Sequence, residues 1–93
     1  MQTVVTAIRN VSPSWHIILL PGVDYTAVGS FISDGSAYYL NLVHNPDGSK
    51  TNLIFDVHQY LDGQGGEVST CNTDGTGNLA NLASWLRSNG RQA

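Results

Sequence analysis

His58 and Tyr60 lie two residues apart in the segment Asn52-Leu53-Ile54-Phe55-Asp56-Val57-His58-Gln59-Tyr60, where apolar and polar side chains alternate. Such alternation marks a half-buried strand, with Leu53, Phe55 and Val57 on one face and Ile54, Asp56, His58 and Tyr60 on the other. An imidazole and a phenol side by side at the C-terminal end of a strand stand where α/β folds place their sites. There His58 can bind or polarise a substrate hydroxyl, and Tyr60 can donate a hydrogen bond to a neighbouring carboxylate. Asp56 lies one step deeper on the same face. The pattern equally suits a strand whose His and Tyr are merely satisfied, so both readings stand at this point.

The remaining chemistry-bearing residues are sparse. His16 precedes an apolar strand and His44 sits between a helix and a turn, and no spacing pairs them as metal ligands. Ser30, Ser33 and Ser36 lack the G-x-S-x-G elbow of a serine hydrolase. Gly63-Gln64-Gly65-Gly66 neither follows a strand directly nor opens a helix at phosphate-binding spacing, and it reads as flexible loop. Asn10-Val11-Ser12 is a glycosylation sequon of a kind that arises often by chance. Cys71 is the one cysteine, which excludes an internal disulfide and a four-cysteine metal site. No metal or cofactor is expected.

Positioning these residues falls to one small domain spanning 1–93, whose 41% hydrophobic and 12% charged residues exclude a coiled coil or a disordered tail. A formal charge of −3 with no basic cluster argues against nucleic acid. The longest apolar run, Ile17 to Leu20, is far short of the roughly 20 residues that cross a bilayer. Met1-Gln2-Thr3-Val4 carries neither the basic start nor the cleavage site of a secretory signal.

Val4, Ile8 and Val11 share a helical stripe, so the chain is expected to open on an amphipathic helix that looks like the tail of a longer one. Ser12-Pro13-Ser14 breaks it. Trp15 to Leu20 reads as a strand apolar on both faces, ended by Pro21-Gly22. Asp24 is expected to cap a helical turn reaching Phe31 and Ile32, and Asp34 a helix over 36–43 with Ala37, Leu40 and Val43 inward. Asn45-Pro46-Asp47-Gly48-Ser49 is a turn, and 62–77, with five glycines, a mobile surface loop. Leu79, Leu82, Ala83 and Leu86 mark a last helix stopped at Asn89-Gly90, after which Arg91-Gln92-Ala93 adds no element.

Helix, strand, helix, strand, helix at this spacing is the arithmetic of βα units with parallel strands. Right-handed crossover puts the helices on one side and leaves Asp56, His58 and Tyr60 facing whatever lies across the sheet. Two strands leave both edges unpaired, and such edges are normally covered, closed or paired with another chain. The sequence therefore reads as part of something larger, completed by self-association.

The stretch Asn45-Pro46-Asp47-Gly48-Ser49-Lys50-Thr51-Asn52-Leu53-Ile54-Phe55-Asp56-Val57-His58-Gln59-Tyr60-Leu61-Asp62 closely resembles the fungal-type endo-β-1,4-glucanases of glycoside hydrolase family 5. The resemblance extends through Val4 to Arg9, Leu20-Pro21-Gly22, Gly29 to Ser36, Trp85-Leu86-Arg87 and Arg91-Gln92-Ala93. It implies a segment of a (β/α)8 barrel cellulase running from late helix four to the threshold of strand seven. It further implies that His58 contacts β-1,4-glucan, that Tyr60 hydrogen-bonds the nucleophile, and that the enzyme is secreted. Tyr25 stands where relatives often carry a sugar-stacking Trp, and the cysteine matching Cys71 pairs downstream. The family's acid/base and nucleophile glutamates match positions outside residues 1–93.

A glycosidase needs two carboxyl groups, roughly 5–5.5 Å apart for retention and roughly 6.5–9.5 Å for inversion. Glu67 is the sole glutamate, with Asp56, Asp62 and Asp74 its sequence-near partners. Three expectations follow. The first is a cellulase segment that acts on or binds β-1,4-glucan without the catalytic pair. The second is a non-catalytic glucan-binding or structural module that oligomerises through strand edges. The third is a homo-oligomer whose site combines Glu67 with Asp62 or Asp56 of neighbouring chains.

Overall fold

The computed structural model describes residues 1–13 and 15–93. Its elements are α1 (Gln2–Val11), β1 (Ile18–Pro21), α2 (Ser36–Asn41), β2 (Leu53–Asp56) and α3 (Thr76–Asn89). The two strands pair in parallel, with Ile18 opposite Leu53 and Pro21 opposite Asp56.

α1 forms as expected, but its inward stripe is shifted. Val5 is fully buried and Ile8 packs on the core, whereas Val4 and Val11 point outward. The helix stops where Ser12 turns to an extended backbone (φ −128°, ψ 138°); Ser14, the last residue of the expected break, lies outside the described residues.

β1 is shorter than Trp15 to Leu20 and is apolar without being buried on both faces. Ile18 and Leu20 enter the core, while Ile17 and Leu19 remain 59% and 56% exposed. The sheet thus has one packed face and one free face, and the free face carries Leu19 beside Ile54.

The expected Asp24-capped turn is replaced by a left-handed one. Asp24, Tyr25 and Thr26 have φ of 52°, 55° and 56°, and Thr26 N–H donates to Val23 O while Ala27 N–H donates to Asp24 O. Three consecutive non-glycine residues in this region cost backbone energy, which the surrounding contacts must offset. Thr26 is buried, and its carbonyl accepts from His58 N–H at 2.9 Å.

Asp34 does serve α2, its Oδ1 accepting the Ser36 N–H at 2.7 Å, and Ala37, Leu40 and Val43 are buried as expected. At the turn before β2, Asp47 Oδ1 accepts the Ser49 N–H, which lowers the Asp47 pKa. In α3 only Leu82 is fully inside; Leu86 and Trp85 lie against the core, and Leu79 is 45% exposed. Gly90 ends α3 in the left-handed conformation.

The last three residues are not elementless. Gln92 bridges Ile54 in parallel, its carbonyl accepting the Phe55 N–H at 2.9 Å, so a third pairing begins on the far edge of β2. Arg91 is buried behind it, with Nη1 donating to Val43 O at 3.2 Å and the guanidinium 4.5 Å above the Phe55 ring. Phe55 sits at the centre of the core, touching Phe31 (5.5 Å between centroids) and Trp85 (6.2 Å).

Candidate functional site

The site is built where the two strands end. Beyond Asp56 the backbone stays tied across the gap, since His58 bridges Ala27 and its carbonyl accepts the Val28 N–H at 2.8 Å. The strained turn after β1 and the segment after β2 are thereby locked to one another.

On the free side of β2, Asp56, His58 and Tyr60 form a row. Asp56 Oδ1 is 3.5 Å from His58 Nε2, and His58 Nδ1 is 3.4 Å from the Tyr60 hydroxyl. The side chains of His58 and Asp56 are 48% and 37% exposed, open enough to meet a ligand.

Tyr60 also borders a cleft of about 410 Å³ with Asp24, Tyr25, Ala27, Gln64, Gly65 and Glu67. The left-handed turn holds Tyr25 out at 83% exposure, so its ring forms an open platform. Tyr25, Tyr60 and Glu67 are therefore brought together. The expectation missed Gln64 and Asp24 on the same wall.

Asp62 has a different job from that of an open carboxylate. It is buried, and Oδ1 accepts the Gln64 and Gly66 N–H groups while Oδ2 accepts those of Gly66 and Val68, at 3.0–3.1 Å. The Val68 N–H, then those of Gly66 and Gln64, pull its pKa down to about 2. Both oxygens are committed to the loop. The expected mobile stretch is accordingly organised over 62–68, and it closes on the site. At Gly66 (φ 91°) a Cβ would meet the Tyr60 ring at 3.0 Å, so only glycine permits this approach.

Asp74 accepts the Thr76 N–H at the start of α3, which lowers its pKa. Cys71 is free and exposed. His16 pairs with Ser12, and His44 Nδ1 lies 2.9 Å from Asn45 O, both remote from the strand-end row. Among the described residues, no three of His, Cys, Asp and Glu cluster as metal ligands, and no helix is long and apolar enough to cross a membrane. A cavity of about 560 Å³, lined by Lys50, Arg91 and Gln92 among others, lies at the opposite end of β2.

The pattern of the cellulase family, glycosyl hydrolase family 5, matches residues 1–93. The chain belongs to this family. It is 56% identical to endoglucanase EG-II of Hypocrea jecorina over 100% of its own length and 23% of that protein. It is 35% identical to endoglucanase 1 of Saitozyma flava, again over its whole length and 27% of the relative. The crystal structure of Cel5A (EG2) from Hypocrea jecorina superimposes on 99% of the chain and 29% of that structure, with 54% identity and a TM-score of 0.94. The chain thus spans about a quarter of the relatives it matches. Its parallel strands and flanking helices are a sector of a (β/α)8 barrel, and in such barrels the C-terminal strand ends form the site.

Proposed function

We propose that this glycoside hydrolase family 5 sector forms one wall of a β-1,4-glucan cleft, acting on or binding cellulose-type chains. The observation that carries this is the Asp56, His58 and Tyr60 row opening beside the Tyr25 cleft at the C-terminal strand ends. Tyr25 offers a flat face for a pyranose ring, and His58 and Tyr60 offer hydrogen-bonding groups for its hydroxyls. The acid/base and nucleophile of double displacement are assigned to residues outside this chain. Glu67 is its only glutamate, and Asp62 is spoken for by the loop. A polymeric glucan places the work outside the cell.

Titration of the purified chain with cellohexaose, followed by the ring resonances of His58 and Tyr60, tests this reading. Saturable shifts that vanish in Tyr60→Ala are expected; their absence at millimolar sugar sinks the glucan reading. Reducing-sugar release from cellulose is expected at background, and turnover lost in His58→Ala would overturn the assignment of the carboxylates elsewhere.

A second reading, a homo-oligomer completing its own sheet, is favoured by the exposed Ile17 and Leu19 and by the open strand edge.

A further inference from the structure

α2 has a helix on either side. Just past its C-terminus, Gln2 of α1 donates through Nε2 to His44 O at 2.9 Å and accepts the His44 N–H on Oε1 at 3.0 Å. Towards α3, Asn41 Nδ2 donates to Asn89 Oδ1 at 3.3 Å, and the Tyr38 and Trp85 rings meet edge-on at 5.9 Å. Inward, Ser36, Ala37, Leu40 and Val43 are buried. What remains is the outer face, where the helical period sets Leu42 between Tyr38 and Tyr39. Tyr38, Tyr39 and Leu42 are 59%, 76% and 74% exposed. An outward helix face is ordinarily polar or charged, yet from Gly35 to Pro46 the chain has no Asp, Glu, Lys or Arg. Ile17 and Leu19 are exposed as well, but on the side of the sheet that faces a barrel's packed interior, whereas the helices form its outer ring.

We propose that Tyr38, Tyr39 and Leu42 form a second contact for β-1,4-glucan, on the outside of the barrel and separate from the strand-end cleft. The area sets the size of the occupant. Burying an aromatic side chain removes roughly 150–250 Å² from water, so at these exposures the three side chains offer on the order of 400 Å². That is about half of the roughly 800 Å² each partner gives to a stable protein interface, too little for a second copy of the chain and enough for a few sugar rings. Charge points the same way, since the glucan is neutral and the nearby cation, Lys50, has its Nζ on Asn41 Oδ1 at 2.9 Å. Glucose units linked β-1,4 show apolar C–H faces and a rim of hydroxyls, and a phenol matches both with a flat ring and a tip that donates and accepts. Both rings are held in place: Tyr38 leans on Trp85, and Tyr39 lies over Gly35, where a Cβ would meet it at 3.3 Å. The contact rests on the glucan reading above for the identity of its ligand, but not for its position.

Adsorption of the chain to insoluble cellulose, measured by depletion beside the cellohexaose titration of the His58 and Tyr60 rings, keeps the two contacts apart. The double variant Tyr38→Ala/Tyr39→Ala is expected to adsorb roughly tenfold or more weakly, at about threefold to tenfold per ring, while its cellohexaose shifts at His58 and Tyr60 match the wild type. Should that variant fail to fold, Tyr39→Ser with Leu42→Gln changes only side chains about three-quarters exposed and is expected to weaken adsorption in the same direction. A wild-type chain that does not adsorb, or folded variants that adsorb as well as it does, overturn the proposal, as does adsorption that Tyr60→Ala alone abolishes. A variant that turns a concentration-dependent assembly into monomer with adsorption unchanged gives the face to a second copy, and overturns it too. Adsorption that depends on the tyrosine pair, with no cellohexaose shifts in the cleft, would instead overturn the cleft reading and leave the outer contact standing.

Discussion

Asp62 shows how a carboxylate can shape a site without doing chemistry in it. Three backbone N–H groups make four contacts with its two oxygens, and the folded chain therefore favours the anion. Its pKa falls to about 2, below the ordinary value of roughly 3.9. A depressed folded value means that the loop's stabilisation is complete above the unfolded value and is lost as pH falls through the folded one. The Val68 amide resonance is thus expected to stay constant down to about pH 4 and to titrate near 2; a midpoint in the ordinary carboxylate range would refute the arrangement. Asp62→Asn should release the amides of Gln64, Gly66 and Val68 to fast hydrogen exchange at every pH. Little of this was legible beforehand. The glycines of 62–77 announced a loop, but its order comes from one buried side chain whose partners are all backbone. The Tyr25 platform was hidden for a related reason: positive φ at three residues without a glycine carries no sequence signal.

Elements were easier to read than their faces. All three helices and both strands stand in the expected order, because apolar spacing and turn residues punctuate them. The inward stripe of α1 is another matter, since a short helix rich in Val and Ile offers two stripes, and only packing against the sheet selected Val5 over Val4. β1 looked apolar on both faces, yet burial needs a covering layer on each, and the helices supply only one. Gln92 escaped notice because its pairing uses backbone alone. The registration of α3 can be checked directly. Leu82→Ala is expected to cost about 2–5 kcal/mol, against less than about 0.5 kcal/mol for the half-exposed Leu79→Ala. Equal losses in urea melts of the two variants would show that α3 packs through a different face.

At the scale of the whole molecule, the radius of gyration of 14.5 Å exceeds the about 12 Å of a closed domain of 93 residues. Its surface of 5753 Å² is likewise above the roughly 5,200 Å² expected for its mass. Light scattering is expected to show mass rising with concentration, and Leu19→Lys, whose side chain points away from the core, to return the chain to monomer without unfolding it. A monomer mass at every concentration would dispose of self-association. Charge is also divided along the strands: Asp24, Asp56 and Glu67 lie at the cleft end, while Arg9, Lys50 and Arg91 gather near the start of β2. The parallel bridge at Gln92 has a kinetic consequence as well. Ile18 meets Leu53 across 35 positions and Ile54 meets Gln92 across 38, so the two crossovers close loops of nearly equal entropic cost. Loop length therefore gives neither a head start. The order in which β2 acquires its two neighbours is left to how fast Phe31 and Trp85 each find Phe55.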